Sequence, residues 1–183
     1  MPGSGKSTIV SALKARGLEA LNLGDGVRTE AKRRNIEPTG DNLGKLMLEL
    51  REKNGPGAIA ILLTEPIKNS QSKVIIIDGV RSTAEIEVLK NAGSVKLLSI
   101  EAAADTRYKF LSSRGRSDDP ATKEKFEERD NRELGVGISE SIAIADETIV
   151  NSDITLDELT ERAYKVIETV SYTHLTLPTK RIV

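Results

Sequence analysis

Met1-Pro2-Gly3-Ser4-Gly5-Lys6-Ser7-Thr8 opens the chain. It matches the end of G-x-x-x-x-G-K-[ST], the phosphate loop whose backbone N–H groups cradle an anion at a helix N-terminus. Gly5-Lys6-Ser7 closes the pattern, and Met1 falls on its first variable position. The reading therefore expects a start about seven or more residues upstream, one strand length plus a glycine. A loop lacking the strand that aims it is expected to hold ATP weakly. The motif assigns Lys6 to the β- and γ-phosphates and the Ser7 hydroxyl to Mg²⁺. The N–H groups of Gly3, Ser4, Gly5, Lys6, Ser7 and Thr8 take the phosphate oxygens.

At the other end, Val170-Ser171-Tyr172-Thr173-His174-Leu175 reads like the translation of a transposon-end adapter, GTC TCT TAT ACA CAT CT. Residues 170–183 are accordingly expected to be a non-native tail, with the folded domain at 1–169. If any of the tail fills the middle of the sheet, the apolar stretch Leu175 to Leu177 is the expected occupant.

A chain of 183 residues suffices for one domain. Aromatic residues make up only 3%, so aliphatic packing must build the core. The net charge is −1, and removing Lys180 and Arg181 takes it to −3. No basic field points to nucleic acid, and no apolar run approaches the roughly 20 residues of a membrane span. The expected setting is cytoplasmic. Cysteine is absent and the single histidine, His174, lies in the tail. Thiol nucleophiles and histidine or cysteine metal sites are thereby excluded from the domain. Lysine, arginine, carboxylates and backbone remain, which is the toolkit of phosphoryl transfer.

Hydrophobic periodicity predicts helices over 6–16, 25–35, 42–53, 58–69, 105–113, 121–133 and 139–145. Lys73-Val74-Ile75-Ile76-Ile77-Asp78 is a continuous apolar run, as in a strand buried on both faces of a parallel sheet. Further strands are expected at 20–23, 95–100 and 147–150. Ser82-Thr83-Ala84-Glu85 and Thr155-Leu156-Asp157-Glu158 are capping boxes that open helices. Strands alternating with helices predict an α/β domain with a parallel sheet, its central position left open by the absent first strand.

Three later segments narrow the chemistry: Gly24-Asp25-Gly26-Val27-Arg28, Asp78-Gly79-Val80-Arg81 and Arg114-Gly115-Arg116-Ser117-Asp118-Asp119. The first two follow strand ends, where ligands bind in open α/β sheets. Arg28 and Arg81 can clamp a phosphate bidentately. Asp78 is placed to hold Mg²⁺ through water. Arg116, then Arg114, are the candidates for stabilising transition-state charge. Asp119-Pro120 reads as an N-cap followed by proline at the first helical position. The helix from Lys123 to Glu133 reads as a solvated charged face.

Together these segments resemble the nucleoside monophosphate kinases, three-layer α/β/α P-loop proteins. The resemblance extends over residues 1–169. It is nearest to an archaeal family of adenylate-kinase-related P-loop proteins, which share Arg116 to Asp119, Arg129 to Leu134, Gly137 to Glu140 and Ala145 to Asn151. It implies ATP and Mg²⁺ as cofactors, a lid at about 114–134, and a small nucleotide as acceptor. Asp25, Arg28 and Arg81 would bind that acceptor, with Arg129 and Arg132 as further candidates at a longer spacing than the family's. Dephospho-coenzyme A kinases share the ending of strand, asparagine and capped helix, so a hydroxyl acceptor is the alternative, with Asp25 as its base. A nucleotide-binding switch with slow turnover is the reading of a different class.

Overall fold

The computed structural model describes residues 1–114, 120, 122–172 and 181–182. The phosphate loop runs into α1 (Lys6–Ala15), followed by β1 (Glu19–Asn22), α2 (Leu23–Arg33) and α3 (Gly40–Asn54). α2 starts two residues before the expected Asp25, because the Asn22 side chain caps it by accepting from the Asp25 N–H at 3.2 Å. The helix expected over 58–69 is two, α4 (Ala58–Ile61) and α5 (Thr64–Asn69). Pro66 has no N–H to give a continuous helix, and in α5 it sits in the first turn, where none is needed.

Next come β2 (Val74–Asp78), α6 (Thr83–Lys90), β3 (Ser94–Val95), β4 (Leu98–Glu101) and α7 (Ala104–Arg114). Ser82 caps α6 by accepting from the Glu85 N–H. α8 (Lys123–Val136) is capped by Thr122, whose Oγ1 accepts from the Lys125 N–H at 3.3 Å. This corrects the expected Asp119-Pro120 start; Asp119 lies outside the described residues. α9 (Ile138–Ala143), β5 (Glu147–Val150), α10 (Leu156–Tyr172) and β6 (Arg181–Ile182) complete the chain. The second capping box closes in both directions. The Thr155 N–H donates to Glu158 Oε2, and the Glu158 N–H donates to Thr155 Oγ1.

Alternation along β2 sets the layers, because successive side chains in a strand point to opposite faces. Ile75 and Ile77 join a core with Leu23, Val27, Leu46, Leu50, Ile59 and Leu89 beneath α2 to α6. Ile76 joins the opposite core with Ile9, Leu13, Ile100, Ile149, Leu159 and Ala163 beneath α1 and α10. The result is the expected three-layer α/β/α arrangement.

All strand pairs are parallel, in two pieces ordered β1-β2-β6-β3 and β4-β5. Among the described residues, 1–169 place no strand between β2 and β3. Arg181 and Ile182 lie there instead of the expected Leu175 to Leu177, which fall outside the described residues. Ile182 is 1% exposed, so this short segment joins the core although the sequence reading set it aside. It reaches only Val74 and Ile75 on β2, which is why the strand expected over 95–100 divides. Ser94–Val95 pairs with β6, whereas Leu98–Glu101 pairs only with β5. A cavity of about 90 Å³ remains beyond Ile182, between Ile77 and Leu98.

Candidate active site

Glycine shapes the phosphate loop at two positions. Gly3 and Gly5 have φ of 80° and 100°, a region that L side chains seldom adopt. A Cβ on Gly3 would stand 2.7 Å from the Arg107 carbonyl oxygen, and one on Gly5 would stand 2.6 Å from Asn151 Nδ2. Two side chains hold the loop from either side. Asn151, just after β5, donates from Nδ2 to the buried Ser4 carbonyl at 3.0 Å. Arg107, on α7, donates from Nη1 to the Pro2 carbonyl at 3.2 Å. Arg107 is itself fixed by Asp130 on α8, at 2.8 and 2.5 Å, with its guanidinium over the Phe126 ring. Among the described residues, the N–H groups of Gly5, Lys6 and Ser7 have no acceptor. They sit at the positive end of α1, the arrangement that receives an anion.

Lys6 Nζ donates to the Met1 carbonyl at 2.6 Å and to Ser4 Oγ at 3.2 Å. Burial pushes the Lys6 ammonium below its ordinary range, opposed chiefly by the Asp78 carboxylate. Asp78 Oδ2 accepts from Asn22 Nδ2 at 3.0 Å, so the capping asparagine of α2 also orients the carboxylate at the end of β2.

The loop opens on a cleft of about 1130 Å³. Gly3 to Thr8, Asp25, Arg28, Asp78, Arg81 and Arg129 all line it. Its apolar walls come from both cores: Leu43, Met47 and Ile59 from one, Ile154 and Leu159 from the other. Arg28 pairs with Asp25 at 2.8 Å, with 59% and 72% of their side chains exposed. Such an exposed pair contributes little, so an arriving phosphate can displace it. The Arg81 N–H donates to Glu85 Oε2 at 2.8 Å, and Arg81 Nη1 lies 3.3 Å from Glu133 Oε1.

Not every expected residue reaches the cleft. Arg132 is exposed on α8 and does not line it. Arg129 and Glu133 are one turn apart and share the cleft face, whereas Arg132 is rotated about 100° from Glu133. The side chain of Arg114, and Arg116 and Asp118, lie outside the described residues. α8 is also not the fully solvated face expected, since Phe126 and Glu133 are buried. Sequence reasoning missed Arg107, Asn151 and Glu133 as site residues. For Asn151 the signal was the asparagine that ends the last strand.

For Mg²⁺, the fit rests on hard oxygen donors. Ser7 and Asp78 both line the cleft beside the loop. Mg²⁺ commonly takes one or two protein oxygens and completes its shell from phosphates and water. Among the described residues there is no cluster of three or more histidine, cysteine or carboxylate side chains that could hold a metal by itself. Among them, too, no helix is long and apolar enough to cross a membrane.

Comparison with known proteins agrees with this geometry. An AAA domain, by its family description, matches residues 1–127. A UPF0200 protein from Pyrococcus abyssi is 42% identical over 158 residues, covering 84% of both chains. Another, from Methanothrix thermoacetophila, is 42% identical over 172 residues, covering 92% of this chain and 93% of its own. Among solved structures, shikimate kinase from Bacteroides thetaiotaomicron superposes with a TM-score of 0.60 at 15% identity, covering 91% and 93% of the two chains. At that identity the likeness concerns the fold.

Proposed function

The chain belongs to the archaeal UPF0200 family and carries a P-loop kinase-like AAA domain, and from that premise we propose an ATP-dependent phosphotransferase that moves the γ-phosphoryl group to a small nucleotide. One observation carries the reading. A single cleft joins the phosphate loop to Arg28 and Arg81, and its apolar walls come from both sides of the sheet. Its volume of about 1130 Å³ exceeds the ~300–1,000 Å³ usual for one small ligand, as a two-substrate site requires.

In this reading Gly3 to Thr8 wrap the ATP phosphates, and Lys6 leaves the Met1 carbonyl for the β- and γ-phosphates. Ser7 and Asp78 would hold Mg²⁺, which neutralises phosphate charge. Arg28 and Arg81 hold the acceptor, with Arg129 at the cleft wall. Arg116 and Arg114 close over the transferring group from a lid at about 114–134, excluding water and suppressing ATP hydrolysis. The lid's base is tied to the loop by Asp130 and Arg107.

The test is an acceptor panel of AMP, CMP, UMP, dGMP and dephospho-coenzyme A with ATP and Mg²⁺, followed by ³¹P NMR. ADP formed only when an acceptor is present supports the assignment, and Lys6→Ala and Arg116→Ala should each remove most of it. Binding of ATP and AMP without transfer to any acceptor makes the protein a nucleotide-binding switch instead.

A further inference from the structure

Four carboxylates among the described residues line the cleft: Asp25, Asp78, Glu85 and Glu133. Three are committed or dispersed into solvent. Asp25 is 72% exposed and paired with Arg28. Asp78 accepts from Asn22. Glu85 accepts from the Arg81 N–H through Oε2, and its Oε1 lies 3.4 Å from Arg51.

Glu133 differs. Its side chain is 6% exposed, and Oε1 lies 3.3 Å from Arg81 Nη1. Oε2 is buried and has no hydrogen-bond donor. A buried acceptor left without a donor destabilises the fold, the more so when charged. That cost is recovered when a ligand brings a donor into the cleft. A second phosphate oxygen, which only accepts, would instead be repelled there.

Glu133 also lines the same cleft as Lys6 and Asp78. The Arg81 side chain is 43% exposed, and its guanidinium makes only the Glu133 contact among the described residues, leaving N–H groups for an anion. Arg81 and Glu133 therefore offer a donor and an acceptor side by side.

We infer that the acceptor is an anion bearing a hydroxyl group, and that Glu133 Oε2 takes the hydroxyl proton as phosphoryl transfer proceeds. The inference rests on the kinase reading and assigns its acceptor class. The acceptor O–H gives its proton to Glu133 Oε2 while its oxygen bonds to the γ-phosphorus of ATP. The bond between that phosphorus and the β,γ-bridging oxygen breaks, and ADP leaves with the electron pair. Arg81 holds the acceptor's anionic group. Glu133 thus replaces Asp25 as the proton acceptor, because Asp25 is solvated and tied to Arg28.

The experiment compares the chain with Glu133→Gln and Glu133→Asp on dephospho-coenzyme A, which offers a ribose hydroxyl, and on AMP. ³¹P NMR distinguishes a new phosphate monoester from a diphosphate. The expected result is monoester product, with kcat lowered about 100-fold or more in Glu133→Gln, in the range for loss of a general base. KM for ATP should be unchanged, and Glu133→Asp should recover part of the rate. Thermal melts establish that each variant is folded, and ATP binding by each gives a second readout that a purely structural role would disturb. Diphosphate formation from AMP at a rate indifferent to Glu133→Gln overturns the inference and leaves the kinase reading standing. ATP binding with no ADP formed on any acceptor overturns both.

Discussion

Asn151 stands against Gly5 so closely that the amide Nδ2 lies 2.6 Å from the place a Gly5 Cβ would occupy. The same nitrogen donates to the Ser4 carbonyl at 3.0 Å. The loop thus needs glycine at position 5 twice over, for its φ of 100° and for the space that Asn151 takes. Gly5→Ala must displace Asn151 and strain the backbone. It should cost about 1–3 kcal/mol, as residues forced into sparsely populated regions do, and weaken ATP binding at least tenfold. Gly44, inside α3, has nothing within 4 Å of its missing Cβ. Gly44→Ala should therefore stabilise by up to about 1 kcal/mol. Urea melts of the two variants, with ATP titrations, check both signs.

Lys6 is held in the cleft at a cost to folding. Burial depresses its pKa from the ordinary 10.5, with Asp78 opposing. Between the lowered value and 10.5, the unfolded chain binds more protons than the folded one, so this group makes stability rise with pH there. Below the lowered value its full penalty is present. Lys6→Met should raise the urea midpoint at neutral pH while abolishing phosphoryl transfer. The gap between variant and parent should narrow as the solution becomes alkaline. A midpoint that falls at neutral pH would mean that the bonds to Met1 and Ser4 outweigh the burial of the charge.

What the sequence made legible was local. The isoleucine run of β2, the loop into α1 and the caps at Ser82 and Thr155 depend on neighbours in the chain, and each forms where expected. What stayed hidden depends on contacts across the fold. The split of the strand over 95–100 follows from β6 pairing with Ser94–Val95 alone, which no local pattern contains. α8 is capped by Thr122, three residues past the expected Asp119, and local propensity does not rank a threonine against an aspartate so close by. Arg107 and Glu133 looked like surface charges in polar helices. Only packing shows that one anchors the loop and that the other faces the cleft.

Arg107 connects three segments, and removing either end of its buried ion pair should be felt in all of them. Asp130→Ala leaves the buried Arg107 side chain with the Pro2 carbonyl as its remaining hydrogen-bond partner. Breaking one partner out of a buried pair costs about 3–5 kcal/mol. Arg107→Ala should cost a similar amount, and the double variant clearly less than the two together. Chemical denaturation of the four proteins gives the coupling. An additive result would show that the pair contributes nothing beyond its separate contacts.

Glu30 should make stability sensitive to acid. Its carboxylate accepts from Arg33 Nε and Nη2 at 2.7 Å and from Arg34 Nε at 2.6 Å. The Arg33 hydrogen bonds pull its pKa down from 4.5 to about 2; burial opposes this and Arg34 adds to it. A carboxylate lowered on folding contributes stability that is complete above the unfolded pKa and lost as pH falls through the folded one. The loss should therefore run from about pH 4.5 down to about 2. Glu30→Gln should be less stable than the parent at neutral pH, and the two should converge across that window. Melting temperatures taken from pH 7 to pH 2 check this, and curves that stay parallel would assign the acid sensitivity to other carboxylates. Glu49, drawn down by Lys53 and by Arg34, is the first of these to replace.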